Sequence, residues 1–275
     1  MPTPKRQRKR RGGKATLADG ADRHELYEQA VQSPESDIEF FVARFRQHHA
    51  RDPLTLREDF CGTAYLSATW LEGSKDRRAI GIDLDQPTLD WGRDRHFSDP
   101  SCRDRMRFIC LDVCSVTEPK VELACALNFS FCIFKTRAEL LAYFTAVRNG
   151  LADDGLFVTE LYGGTEAIVA IEDQREVEDF TFLWEQEKFN PITHEVLCHI
   201  AFVFRDGSML KRAFTYDWRL WTLPEVRELL TEAGFSQVDV YWEETDEDGD
   251  GNGIHHLAVE EENQESWLVY IAAVK

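Results

Sequence analysis

Three short strings carry residue types that could build a nucleotide-binding site. The first is LREDFCGTA, Leu56 to Ala64, in which an apolar run passes into a turn of small residues. A strand that opens through such a turn into a helix exposes backbone N–H groups to a ligand at close range. The second is GIDLD, Gly81 to Asp85, whose Asp83 follows the turn by about twenty residues. An acid at that strand end can accept hydrogen bonds from both hydroxyls of a ribose. The third is CLDVC, in which Asp112 ends a further apolar run at a position suited to reading an adenine amino group.

These strings need a scaffold that brings strand ends to one edge. Short apolar runs at Thr55–Phe60, Ala79–Leu84, Arg107–Leu111, Val121–Leu127 and Gly155–Leu161 alternate with amphipathic segments at Ala64–Leu71, Pro87–Arg95 and Arg137–Asn149. That alternation predicts an α/β fold, a mostly parallel sheet with helices on both faces. Ahead of it, Arg23–His49 is helical in period and split at Ser33-Pro34, because Pro cannot continue a helix interior. Behind it, Thr181–Phe189, Glu195–Phe204 and Met209–Trp218 are rich in aromatic and β-branched residues without helices between them. They predict an antiparallel β meander inserted at about 165–221 as a substrate lid, with Arg205-Asp206-Gly207-Ser208 as a turn. Helix Pro224–Ala233 carries a capping box, Thr222 with Glu225. Strand Val238–Trp242, an acidic loop and strand Trp267–Val274 end the chain.

Together the strings resemble the class I S-adenosylmethionine-dependent methyltransferases. Against that family's first motif, an acid followed by Gly-x-Gly-x-Gly, Glu58 takes the acid position and Gly62 the second glycine. Phe60 and Ala64 replace the other two. ALNFSF (Ala126–Phe131) is similar to the family's fourth-strand end, and RNGLADDGLFVTELY (Arg148–Tyr162) to its next helix, turn and fifth strand. The resemblance covers about residues 54 to 162. It implies a Rossmann-like seven-stranded sheet with its last strand antiparallel, and S-adenosyl-L-methionine as cofactor. It implies contact through Phe60, Cys61, Gly62 and Thr63, with Glu58 and Gly62 at the amino-acid portion. Asp83 and Leu84 would lie at the ribose, Asp112 and Val113 at the adenine, and Asn128 beside the methyl group. A nicotinamide enzyme is the competing reading, but its G-x-G-x-x-G turn would have to be built from Phe60, Gly62 and Ala64 with Tyr65 behind them.

For the chemistry, Asn128 and Tyr162 are expected to position the acceptor, since an amide both donates and accepts without charge. Asn128 could equally cap the next turn. His199, with Tyr216, Trp218, Arg219 and Trp221, is a candidate for the acceptor pocket or for ordinary packing of the meander. HEVLCH suggests no metal site: His194 and His199 are five apart on a strand, so their side chains point to opposite faces. Asp246, Asp248 and Asp250 imitate the start of a calcium loop, but Leu257 stands where that loop needs Glu.

Composition limits the alternatives. With 43% apolar residues and 18 Phe, the 275-residue chain can fill one sizeable core. No apolar run approaches the roughly 20 residues of a membrane-spanning helix. The 7 Cys form no C-x-x-C pair, which fits reduced thiols and a cytoplasmic protein. A net charge of −18 conceals a basic start, in which Lys5, Arg6, Arg8, Lys9, Arg10, Arg11 and Lys14 meet no acid. Residues 1–22 are therefore expected to be a disordered basic tail and 23–275 the methyltransferase domain. A small-molecule acceptor is the expected partner. The alternative is an RNA- or protein-directed enzyme, or a cofactor-bound module without turnover, recruited through the tail.

Overall fold

The computed structural model describes residues 15–245 and 251–275. Most of the tail and the acidic triplet therefore lie outside the described residues. Helices α1 (Arg23–Val31) and α2 (Pro34–His48) come first, with Pro34 at the head of α2, where its missing N–H costs nothing. The alternating core follows as β1 (Thr55–Asp59), α3 (Tyr65–Glu72), β2 (Arg78–Asp83), α4 (Gln86–His96), α5 (Pro100–Arg103), β3 (Met106–Cys110), β4 (Val121–Ala126), α6 (Arg137–Gly150) and β5 (Leu151–Gly163). Then come β6 (Ile171–Val177), β7 (Phe180–Phe189), β8 (Glu195–Phe204) and β9 (Met209–Arg219). Helix α7 (Leu223–Glu232) leads into β10 (Gln237–Thr245), β11 (Gly251–Ala258) and β12 (Trp267–Val274). The capping box at Thr222 and Glu225 is formed, and a second one joins Thr136 and Glu139.

The main sheet runs β11-β10-β12-β5-β4-β1-β2-β3. Strands β3, β2, β1, β4 and β5 are parallel, and β12 pairs antiparallel with β5. Reversal of order between β1 and β4 leaves a crevice at their carboxyl ends, where ligands of open α/β sheets bind. One sheet face packs on α2 and α3 through Phe41, Phe45, Leu56 and Trp70. The other packs on α6 and α7 through Tyr143, Phe144, Phe157 and Leu229.

Three expectations need correction. The main sheet has eight strands and not seven, because β11 pairs with β10 in the segment expected to be an acidic loop. Its Ile254 and Leu257 are exposed, so this edge strand has no buried apolar period to betray it. The inserted meander has four strands, in the order β6-β7-β8-β9. β6 (IEDQREV) is polar between its terminal Ile171 and Val177 and likewise lacks a buried apolar period. The N-terminal segment is fixed before residue 22: Ala18–Gly20 form a short 3-10 turn, and the Leu17 and Ala18 N–H groups donate to Asp206 Oδ2 (2.9 Å) and Ser208 Oγ (3.1 Å). Among the described residues no helix is long and apolar enough to cross a membrane.

Candidate active site

β1 delivers the loop that the sequence singled out. Phe60, Gly62 and Ala64 all adopt left-handed backbone, with φ of 55°, 52° and 57°. Phe60 and Ala64 thus hold a left-handed backbone although they carry side chains, at roughly 1–2 kcal/mol each. The loop is held from both sides. Cys61 N–H donates to the Ile82 carbonyl (3.0 Å), and Gly62 N–H donates to Asp83 Oδ2 (2.9 Å). The other Asp83 oxygen accepts from Asp85 N–H (2.9 Å). A carboxylate has about four acceptor positions, so Asp83 retains capacity for a diol. Thr63 Oγ1 donates to Glu28 of α1 (2.5 Å), and His96 Nε2 lies 2.8 Å from the same carboxylate oxygen.

Helix α4 presses on this loop through Gly92. A Cβ there would lie 2.0 Å from the Thr63 carbonyl oxygen. Gly92→Ala should therefore displace the loop, destabilise the protein by about 1–3 kcal/mol, and weaken nucleoside binding. Thermal denaturation together with calorimetry on S-adenosylhomocysteine checks this, and an unchanged affinity would separate Gly92 from the site.

Two cavities meet over the sheet. The first, about 310 Å³, has Phe60 to Thr63, Asp83 and Thr88 as its floor. Its roof is α1 (Arg23, His24, Tyr27) and β9 (Phe214, Tyr216, Trp218). Arg23 lies 5.3 Å from the Phe214 ring, and the Tyr27 and Phe214 centroids are 4.9 Å apart, which closes the roof. The second cavity, about 670 Å³, lies between α2 and the β5–β12 region. Gln32 and Asn128 line both.

Asn128 therefore stands at the junction. Its backbone is left-handed, at φ 51°, and its N–H donates to Glu160 Oε2 (2.6 Å). The 3-10 turn that follows has no side-chain cap, so the capping reading of Asn128 does not hold. Glu58 faces the second cavity and not the first, its Oε2 accepting from Ser67 N–H (3.0 Å) and Oγ (2.5 Å). Burial pushes its carboxyl up to about 8, with Asp37 and Asp83 adding to the rise.

Other expected site residues are placed apart. Leu84 is exposed beyond the end of β2. Asp112 caps the 3-10 turn Val113–Ser115 by accepting from Cys114 N–H (2.8 Å), and Val113 is buried beneath it. None of these three lines the first cavity, although Leu84 and Asp112 follow the adjacent, paired strands β2 and β3 at the same sheet edge. Tyr162 lines a third cavity of about 430 Å³, which shares Glu243 and Leu268 with the second, and its hydroxyl has no partner among the described residues. His199 lines none of these three cavities. It lies on the face of β8 opposite Val196, Cys198 and Ile200, which point into the core, and it is only 2% exposed. Its ring binds Thr215 Oγ1 (2.9 Å) and Glu187 Oε2 (3.0 Å), so it braces the small sheet. Arg219 and Trp221 are likewise structural, stacked 3.7 Å apart, with Trp221 Nε1 donating to the Phe134 carbonyl.

One buried group escaped the sequence reading. Arg57 and Asp59 project from the same face of β1, at 2% and 1% exposure. Arg57 binds Asp59 through Nε (2.6 Å) and a terminal nitrogen (3.0 Å), and it donates to the carbonyls of Val113 (2.8 Å) and Val116. Tyr143 Oη donates to Asp59 Oδ2 (3.0 Å). The strand below the first cavity is thereby tied to the loop that follows Asp112. The available signal was two opposite charges two residues apart within a core strand.

No sequence-family model and no curated protein matches the chain. Solved structures do. An S-adenosylmethionine-dependent methyltransferase from Clostridium acetobutylicum has a TM-score of 0.65 at 16% identity, over 90% of this chain and 96% of that one. CalS10, an amino pentose methyltransferase from Micromonospora echinaspora solved with S-adenosylmethionine, scores 0.64 at 16% identity, over 91% and 95%. KedS8, a sugar N-methyltransferase from Streptoalloteichus, scores 0.61 at 15% identity, over 100% and 99%. With its 3-2-1-4-5 parallel order, antiparallel closing strands and crevice loop, this chain has the fold of the class I S-adenosylmethionine-dependent methyltransferases.

Proposed function

We propose that the protein transfers a methyl group from S-adenosylmethionine to a small-molecule acceptor. The observation that carries this reading is the junction at Asn128, where a nucleoside-sized cleft beside Gly62 and Asp83 opens into a separate, larger cavity. The residues suit such a cofactor: Asp83 keeps acceptor capacity for a diol, and Gln32 Oε1 is buried at the junction without a partner among the described residues. The solved structures add support, since CalS10 is an amino pentose methyltransferase and KedS8 a sugar N-methyltransferase.

When bound, the cofactor supplies a methyl group already activated by its sulfonium. The task left to this chain is placement. Asp83 and the 60–64 loop fix one reactant, Asn128 and the walls of the larger cavity fix the other, and α1 with β9 excludes water. Correct orientation alone can lower the barrier by roughly 7–11 kcal/mol. No side-chain nucleophile is assigned.

The test is calorimetric binding of S-adenosylhomocysteine, followed by incubation of the protein with methyl-labelled cofactor and a fractionated cell extract. Saturable binding and label in the small-molecule fraction are expected. Absence of binding removes the activity, and label in RNA or protein instead redirects it to a macromolecule.

A further inference from the structure

The larger cavity has a chemical character of its own. Asp37 from α2, Glu58 from β1 and Glu160 from β5 line it, each nine-tenths or more buried. Each uses one carboxylate oxygen: Asp37 accepts from Tyr270 Oη, Glu58 from Ser67, and Glu160 from Asn128 N–H. Among the described residues the second oxygen of each has no hydrogen-bond donor. Strand register brings two of them to one sheet face, with Glu58 beside Cys125, Cys125 beside Val158, and Glu160 beside Tyr270.

Two further polar atoms in this lining point the same way. Gln32 Oε1 is buried and unpartnered. His255 Nε2 is also unpartnered, while its Nδ1 lies 3.2 Å from the Gly253 carbonyl and so carries the proton, leaving Nε2 a bare acceptor. Burial holds that imidazole below its ordinary value, hence neutral. Unsatisfied acceptors therefore outnumber the one unpartnered donor in the described lining, Arg44 Nε, and such groups are costly unless a ligand supplies donors. The wall also contains stacked Phe40 and Tyr270 rings, 4.3 Å apart. Two cations face the cavity: Arg44 lies over the Phe40 and Tyr241 rings, with its buried Nε unpartnered among the described residues, and Arg175 donates to the Ala30 carbonyl. Glu39 is exposed, and Glu243 accepts from Gly253 N–H (3.0 Å).

We propose that this cavity takes the acceptor as a protonated amine, and that Glu160 removes the proton from its nitrogen. The inference rests on the methyltransferase reading above. One N–H proton passes to a Glu160 carboxylate oxygen. The freed lone pair forms the N–C bond to the methyl carbon as the C–S bond breaks, with its electron pair going to sulfur. The products are an N-methylammonium and a neutral thioether, and Glu160 returns its proton to solvent. Glu160 is suited to this because burial, with the nearby Asp37, pushes its carboxyl up to about 8, much nearer to an amine than an ordinary carboxylate. Burial likewise pushes Asp37 up to about 6, and an incoming ammonium favours ionisation of the group.

Stability supplies a readout independent of turnover. A carboxyl raised from 4.5 to about 8 binds more protons in the folded state than in the unfolded one. The fold then loses stability as pH rises through that window. The thermal midpoint of the wild type should decline from about pH 4.5 to about 8, and Glu160→Gln should flatten the decline. Equal slopes would overturn the role of Glu160. For turnover, the small-molecule fraction of a cell extract is offered with methyl-labelled cofactor before and after N-acetylation with N-acetoxysuccinimide. Labelling should disappear on acetylation. Glu160→Gln should lower kcat roughly 100-fold while leaving S-adenosylhomocysteine affinity unchanged. Label that survives acetylation, or no label in either fraction while S-adenosylhomocysteine still binds, overturns the amine assignment. Loss of S-adenosylhomocysteine binding by the wild type would instead remove the methyltransferase reading itself.

Discussion

Asp83→Ala is expected to weaken S-adenosylhomocysteine binding by about 2–4 kcal/mol, since hydrogen bonds to a charged group contribute roughly 1.5–3 kcal/mol each. Two effects combine. The diol loses its acceptor, and the Gly62 N–H loses the carboxylate that pins the loop at 2.9 Å. Asp83→Asn retains an acceptor oxygen and the side-chain length, so it should fall between wild type and Ala. Calorimetry measures both, with the thermal midpoint as a control for the fold. An affinity equal to wild type in the Ala variant would take Asp83 out of the site.

Breaking the buried pair beneath the loop should have the largest effect on stability. Arg57→Met leaves the Asp59 carboxylate buried with Tyr143 as its remaining side-chain donor, and Asp59→Leu leaves a buried guanidinium. Removing one partner of a buried ion pair costs about 3–5 kcal/mol. That is a large fraction of the roughly 5–15 kcal/mol that holds a domain folded. The double variant Arg57→Met/Asp59→Leu removes both charges together and should recover much of the loss, as apolar replacements of buried pairs commonly do. It does not recover the bonds to the Val113 and Val116 carbonyls. The double variant should therefore regain urea resistance more fully than nucleoside affinity. Equal recovery of the two would reduce the pair to a purely structural element.

These two sites differ in how legible they were. The place of Asp83 could be read because it depends on local geometry: a strand end, a turn about twenty residues earlier, and the period-two pattern that places both. Gly62 was legible for the same reason, and so was the capping box at Thr222, where three residues settle the hydrogen bonding. The substitution of Phe60 and Ala64 for glycine made the motif look degraded. The backbone is nevertheless left-handed at all three positions, and Asp83 and the Ile82 carbonyl hold the loop from the neighbouring strand.

The sequence by itself determined the α/β alternation, the inserted antiparallel strands and the strand-end acid, because hydrophobic period and turn chemistry are encoded within a few neighbouring residues. Only the tertiary structure decided that Glu58, Asp37 and Glu160 share a cavity, that Asn128 stands between two cavities, and that His199 turns away from both. Those residues lie on separate elements, and their meeting depends on strand order, register and the seat of α2 on the sheet. The polar edge strands β6 and β11 were decided the same way: with little apolar surface to bury, their place is set by backbone pairing to a neighbour rather than by their own side chains.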